Sequence, residues 1–141
     1  MKKTLPFILI ILLITSCNSP TKNVPEEQKQ DVAQESRPKE MLKEAYQLFK
    51  EGDDSVSIAL ANAVLAIGKK TNNDTLIGKA LTSLCRNAQR KLDTTRLAEL
   101  SDQLVTLSER TGNQSWLMYR AHMNAEMWRL IGNMDRAEGF Y

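Results

Sequence analysis

Only one histidine and two cysteines occur in this sequence, and aromatic residues make up 6% of it. Metal sites and nucleophilic centres are built mainly from histidine, cysteine and carboxylate groups held close together, so few such sites can form here. His122 has a single acidic companion at helical spacing, Glu126, which is half of a metal site. No phosphate-binding loop or nucleophile motif occurs. The sequence therefore predicts a protein with no catalysis, no cofactor and no metal.

A large excess of charge is also absent. The chain has 19 Lys and Arg residues against 17 Asp and Glu residues. Lys2 and Lys3 lie in a segment that we expect to be removed, and without them the two counts are equal. Nucleic-acid-binding proteins depend on a basic surface to neutralise phosphates. We therefore do not expect nucleic acid to be a partner.

The only long hydrophobic run is residues 5–14, which follows Lys2 and Lys3. It is too short to span a bilayer, which takes about 20 residues, but it matches the core of a signal peptide, which takes about 7–15. The run leads into Ile14, Thr15, Ser16 and Cys17, and this ending resembles the lipobox of bacterial lipoproteins.

The lipoprotein resemblance implies cleavage before Cys17, a diacylglyceryl group on its sulfur and an acyl chain such as palmitate on its new amine. Two or more chains make a stable anchor. We therefore expect a protein of the bacterial cell envelope, lipid-anchored on the periplasmic or extracytoplasmic face of a membrane. An ordinary secretory signal and an uncleaved N-terminal anchor are the alternatives. With Cys17 lipidated, Cys85 is the only thiol left, and we predict that it is a small core residue.

Residues 18–40 contain three prolines, no aromatic residue and only three apolar side chains. Such a segment cannot bury enough apolar surface to order itself, so it is predicted to be a flexible tether. Ser36 and Pro38 predict a helix that begins near Arg37. The predicted organisation is a signal peptide (1–16), a lipidated cysteine with a flexible linker (17–36) and a folded domain (37–141).

The folded domain repeats with a period of about 40 residues, a spacing that indicates a repeat architecture. Apolar residues recur at offsets 0, 4 and 7 of each copy, which is the spacing of one helix face. These columns are Met41, Leu81 and Ala121; Ala45, Cys85 and Ala125; and Leu48, Ala88 and Trp128. A second helix follows in each copy, and its columns are Leu60, Leu100 and Phe140; Val64 and Leu104; and Ile67 and Leu107. A helix pair with one apolar face cannot bury it alone, so we predict an all-α solenoid of stacked antiparallel helix pairs.

The last copy carries Ala125, Trp128, Gly132, Ala137 and Tyr141 at the signature spacings of one known repeat. In these positions the chain resembles the tetratricopeptide repeat (TPR) family, with about two and a half repeats between residues 37 and 141. The period of this chain exceeds the roughly 34 residues usual in that family.

The middle copy departs from the TPR signature, because Leu92 replaces the turn glycine and Leu97 replaces a small residue. A generic antiparallel helical bundle is the alternative fold. After Asn133 the sequence has enough residues for about two helical turns, which leaves the third helix pair incomplete. We therefore expect a chain truncated at Tyr141, the front of a longer protein, or self-association through the uncapped C-terminal repeat.

The TPR resemblance implies that a groove lined by the first helix of each pair binds an extended peptide. The groove positions it indicates are Leu42, Tyr46, Phe49, Lys79, Thr82, Arg86, Gln89, Tyr119, His122, Glu126 and Arg129. Arginine can bind a carboxylate through two parallel hydrogen bonds, so an acidic peptide or a free C-terminal carboxylate is the expected guest. The cluster of Trp116, Tyr119 and Trp128 is interpreted as core, because Trp128 belongs to a core column.

The sequence leads to three alternative functional hypotheses. The first is a membrane-anchored scaffold that binds a protein or peptide without chemistry of its own. The second is the sensory front of a longer TPR-containing transcriptional regulator or sensor kinase. The third is an enzyme or small-ligand binder that uses His122 and Glu126.

Overall fold

The computed structural model describes the backbone of residues 26–140 and the side chains of residues 36–140. The predicted signal peptide, the lipobox with Cys17, and Tyr141 lie outside the described residues. The described part of the chain folds into six helices and contains no strand. They are α1 (Glu26–Glu51), α2 (Asp54–Lys70), α3 (Asp74–Arg90), α4 (Thr94–Thr111), α5 (Ser115–Leu130) and α6 (Met134–Glu138). The predicted all-α arrangement of successive helix pairs is confirmed.

The predicted helix start near Arg37 is wrong, because α1 begins at Glu26. Residues 26–36 of the predicted linker therefore belong to α1, and Pro38 stands inside the helix instead of in its first turn. Residues 26–35 are mostly Glu, Gln, Lys and Ala, which are strong helix formers. In this segment helix propensity outweighs the lack of apolar surface.

The turns are evenly spaced along the chain, so each helix with its turn is one half of a repeat. Each turn has one residue with a left-handed backbone, and these residues are Gly52, Asn72, Leu92, Gly112 and Gly132. The residue after each of them is Asp or Asn, which is the side-chain type that caps helix N-termini best. The turn chemistry therefore fixes where every helix ends and where the next begins.

The caps themselves are hydrogen bonds from a backbone N–H to the side chain three residues earlier. The amide of Val56 donates to Asp53, the amide of Leu76 donates to Asn73, and the distances are 3.2 and 3.0 Å. Asp93 and Asn133 accept in the same way from Arg96 and Arg136. Asn113 deviates, since its side chain accepts from the amide of Ser115, two residues on.

The first helices of the pairs form one side of the stack. Every helix contacts the next along the chain, and α1 also contacts α3, as α3 contacts α5. Within the described residues, α2 has no comparable contact with α4. Helices that lie closer together on one side curve the stack toward that side, so α1, α3 and α5 line the inner, concave surface.

The predicted core columns are buried most completely where a helix has neighbours on both sides. Ala45, Cys85 and Ala125 are fully buried on α1, α3 and α5. In the middle of the stack Leu81, Leu100, Leu104 and Leu107 are also buried. Apart from Ala45, Ala125 and Val64, which are fully buried, the column residues of the outer copies are only partly buried: Met41, Leu48, Leu60, Ile67, Ala121, Trp128 and Phe140. The core is therefore centred on α3 and α4, and Cys85 is a free thiol within it.

Two buried asparagine–serine pairs hold the successive pairs in register. Asn87 of α3 donates to the Ser57 hydroxyl of α2 (3.1 Å) and to the carbonyl of Ser83 (3.0 Å). Asn124 of α5 donates to the Ser101 hydroxyl of α4 at 2.9 Å. Because a carbonyl can only accept, the contact with Ser83 fixes the orientation of the Asn87 amide. Sequence reasoning missed these pairs, since they do not follow the period of the repeat.

The C-terminal end of the stack is apolar and open. Met118, Leu130, Ile131 and Met134 are exposed there, and α6 is shorter than the two turns predicted. The counterpart of Met118 one repeat earlier is Gly78, which is buried in α3 by the helices that follow it. Met118 therefore marks a position that a further helix pair would cover, whereas Leu130, Ile131 and Met134 lie at turn positions whose counterparts, Arg90, Lys91 and Thr94, are not buried either.

Leu92 is strained, because its φ of +53° is unfavourable for a residue with a side chain, by about 1–2 kcal/mol. We expect Leu92→Gly to be more stable than Leu92→Ala by about 1 kcal/mol, since both remove the side chain but only glycine relieves the backbone. The measurement is urea unfolding of the two variants followed by circular dichroism.

Leu130 is the matched control, since it is as exposed as Leu92 (50% against 49%) but lies in the last turn of α5. There the order should reverse, with Leu130→Gly less stable than Leu130→Ala by about 0.5–1 kcal/mol. An Ala variant that is more stable than the Gly variant at position 92 would contradict the left-handed assignment.

Candidate ligand-binding groove

A pocket of about 380 Å³ opens on the concave surface between α1, α3 and α5. Six of the eleven groove positions indicated from the sequence line it. These six are Leu42, Tyr46, Lys79, Thr82, Arg86 and Tyr119. Each odd-numbered helix contributes, so the pocket exists only because the three helices stack.

Arg86 lies at the centre of the site. Its guanidinium carbon is 5.1 Å from the centroid of the Tyr46 ring and 5.5 Å from that of the Tyr119 ring. A cation over an aromatic face is attracted by the ring's quadrupole. Arg86 pairs with no carboxylate among the described residues, so the two rings hold the guanidinium in place without neutralising it.

Tyr119 is packed against the core and has a buried hydroxyl. Burial raises the pKa of this tyrosine to about 12, and the nearby positive charge of Arg86 opposes that rise. Arg86 opposes the rise through a hydrogen-bond contact as well as through its charge, but this contact lies outside normal hydrogen-bond geometry within the described chain. The side chain therefore contributes a neutral hydroxyl to the pocket.

The pocket wall formed by Trp116 depends on Gly78. A Cβ atom added to Gly78 would lie 2.3 Å from the Trp116 ring, which is far inside van der Waals contact. The missing side chain on α3 lets the indole of α5 lie flat against the helix. Trp116 thus packs on the core, as the sequence indicated, and at the same time lines the pocket.

Phe49 and Gln89 do not line this pocket. Phe49 lies one helical turn away, with its ring centroid 6.5 Å from that of Tyr46, and the Arg90 guanidinium covers its ring at 3.5 Å. Arg90 also forms a salt bridge of 2.9 Å with Asp54. These contacts extend the aromatic surface along α1 beyond the pocket.

The other three groove residues predicted on α5, His122, Glu126 and Arg129, also lie outside the pocket. Arg129 donates two hydrogen bonds to Glu126, at 2.9 and 2.5 Å, and this contact lowers the pKa of the Glu126 carboxyl, as do the charges of Arg129 and His122. His122 is exposed on the same helix. Within the described residues no group of three metal-ligating side chains comes together around this pair.

Sequence reasoning missed three lining residues, which are Ser83, Ser115 and Trp116. Ser115 and Trp116 belong to the first turn of α5, which reaches across to α3. The signal that could have identified them is Gly78, because a glycine inside a helix indicates a close approach by a neighbouring side chain.

Comparison with known proteins found no matching family model, no matching curated protein and no matching solved structure. None of the described helices is both long enough and apolar enough to cross a membrane.

The buried hydroxyl of Tyr119 predicts a distinct dependence of stability on alkaline pH. Its pKa of about 12 in the folded protein exceeds the ordinary value of 10, so the folded state holds this proton more tightly than the unfolded chain does. The resulting stability is present below pH 10 and is lost as the pH rises toward 12. Tyr119→Phe should therefore make the fall in unfolding free energy between pH 10 and 12 shallower.

The measurement is urea unfolding at several pH values from 7 to 11.5. Both proteins should carry Cys85→Ala, because burial also raises the pKa of the Cys85 thiol to about 12 and it would titrate in an overlapping range. Alanine already occupies the equivalent positions, 45 and 125. Equally steep curves for the two proteins would show that Tyr119 is not buried as described.

Proposed function

We propose that this protein is a lipid-anchored, extracytoplasmic TPR-like scaffold that binds a protein or peptide on its concave surface and performs no catalysis. The observation that carries the proposal is the pocket formed jointly by Tyr46, Arg86 and Tyr119 from three successive first helices. Stacked helix pairs commonly bind partners on such surfaces, since their curvature creates an extended concave face.

The composition of the pocket supports a binding role. Tyrosine supplies a large contact area at a low cost in conformational entropy, and tyrosine, tryptophan and arginine are the residues most enriched at binding hot spots. All three types line this pocket, on Tyr46, Arg86, Trp116 and Tyr119. The volume of about 380 Å³ lies within the usual range of ligand sites.

Arg86 and Arg129 provide a matched test. The full lipid-bearing chain in detergent micelles is incubated with a synthetic library of random octapeptides that have free C termini, and retained peptides are identified by mass spectrometry. We expect Arg86→Gln to weaken binding of the selected peptides about tenfold or more, because a hydrogen-bonded charge is lost from the pocket.

Arg129→Gln should change the affinity by no more than about twofold, since Arg129 lies outside the pocket and pairs with Glu126. Glutamine keeps much of the side-chain stem, and circular dichroism would verify that both variants are folded. Failure to retain any peptide, or equal losses in the two variants, would contradict a binding site at Arg86.

The lipid anchor has its own test, with the second cysteine as control. We expect the wild-type protein and Cys85→Ala to sediment with membranes and Cys17→Ser to be released, because Cys17 and not Cys85 belongs to the lipobox-like sequence. The intact mass of the wild-type protein should equal residues 17–141 plus a diacylglyceryl group and one acyl chain. A mass that still includes residues 1–16 would instead indicate an uncleaved anchor.

The second candidate is the sensory front of a longer TPR-containing regulator or kinase. The specific observation in its favour is the exposure of Met118, because its counterpart Gly78 is buried by the helix pair that follows it. Self-association through the same end would also cover it. The intact mass separates these alternatives, since a longer regulator would give a much larger value.

A further inference from the structure

The pocket contains hydrogen-bonding groups that the protein itself does not use. Thr82 Oγ1 and Tyr119 Oη are buried without a hydrogen-bond partner among the described residues, and both residues line the pocket. Buried polar atoms in native proteins nearly always have partners, so two unpaired hydroxyls in one cavity require an explanation.

Thr82 differs from the other described threonines that lie beyond the first turn of a helix. The hydroxyls of Thr71, Thr106 and Thr111 each donate to the carbonyl four residues earlier, at 2.8–3.1 Å. This is the usual way in which threonine satisfies its hydroxyl in a helix. Thr82 stands in the middle of α3 and does not make that bond, so its hydroxyl hydrogen has no partner among the described residues.

The charge of the pocket is positive and uncompensated. Lys79 and Arg86 both line it, and no Asp or Glu is among its lining residues. Neither cation forms a salt bridge within the described part of the chain. The remaining walls are apolar or aromatic, with Leu42, Tyr46 and Trp116. A guest that complements this site has one negative group and a hydrophobic body.

We propose that the pocket binds a single carboxylate attached to a hydrophobic group. Arg86 pairs with the carboxylate, Thr82 and Tyr119 donate hydrogen bonds to it, and the body packs against Leu42 and Trp116. Charge-assisted hydrogen bonds of this kind are the strong ones. This proposal rests on the binding function proposed above and narrows the guest to one chemical group.

The size of the pocket limits what enters it. Its volume of about 380 Å³ is near the lower end of the range of about 300–1,000 Å³ for ligand pockets. It therefore accommodates a small organic acid or one terminal residue of a chain, but not a longer stretch of peptide. Both sources present the same chemistry, a carboxylate next to an apolar group.

The test compares carboxylates with their amides on the full lipid-bearing chain in detergent micelles. The probes are 3-phenylpropanoate and the tripeptide acetyl-Gly-Gly-Phe, each as the free acid and as the amide, titrated by calorimetry. We expect at least one free acid to bind about tenfold or more tightly than its amide, because the amide lacks the charge that Arg86 needs. Binding of phenylpropanoate alone identifies a small acid as the source, and binding of the tripeptide alone identifies a chain terminus.

Two conservative variants test the hydroxyls. Thr82→Val and Tyr119→Phe remove one oxygen each, and we expect each to weaken binding of the acid about tenfold without lowering the thermal midpoint of unfolding. If the two hydroxyls were only structural, each variant would lower the thermal midpoint together with the affinity. Thr75→Val, an exposed position on the same helix, is the control and should change neither.

Two results would overturn the proposal: neither acid binds at about 1 mM, or acids and amides bind equally and the hydroxyl variants have no effect. The binding function proposed above would survive either result if library peptides are retained and still lose affinity in Arg86→Gln. If neither acid binds and no library peptide depends on Arg86, the pocket is not a binding site.

Discussion

Close contact between the three first helices is the constraint on which the site depends. Ala45, Cys85 and Ala125 occupy equivalent positions on α1, α3 and α5, and each is fully buried. Small side chains there allow neighbouring helices to approach, whereas larger ones would force them apart. Tyr46 and Arg86 each follow one of these small residues directly, so the packing that joins α1 to α3 also brings the ring and the guanidinium together.

The regular spacing of the turns maintains this arrangement along the chain. Each turn combines a left-handed residue with an Asp or Asn that follows it, so successive helices end and begin at equivalent positions of each half-repeat. Salt bridges of Arg90 with Asp54 and of Arg110 with Asp74 join the C-terminal end of one helix to the N-terminal end of the helix before it. Each bridge joins residues that are 36 positions apart in the sequence. The second bridge lies one half-repeat after the first, as each turn lies one half-repeat after the turn before it. Even Leu92, whose backbone is strained, keeps the turn geometry.

Much of the fold could be predicted from the sequence, because helix periodicity and turn residues are local signals. The columns of apolar residues identified the core face of α1 to α5 from residue 41 onward, whereas the column residue Phe140 lies beyond the end of α6. Two features were missed for physical reasons. The start of α1 at Glu26 depends on helix propensity that outweighs a lack of apolar residues, and the pairing of Asn87 with Ser57 depends on where two helices meet. The repeat pattern contains no signal for the start of α1 or for this pairing.

The candidate site was predicted less completely, because a pocket is a product of three-dimensional contact. A periodic pattern identifies the side of a helix on which a residue lies. The groove positions implied by the TPR resemblance include Tyr46, Arg86 and Tyr119, which line one pocket. It could not indicate that Glu126 would be paired with Arg129, or that Gly78 would admit the Trp116 ring. The unpaired hydroxyls of the pocket are also invisible in the sequence. Leaving a buried hydroxyl without a partner costs about 1–3 kcal/mol. Thr82 and Tyr119 place two such hydroxyls near Arg86, so under the carboxylate-binding proposal a guest that pairs with all three groups would gain this free energy on binding.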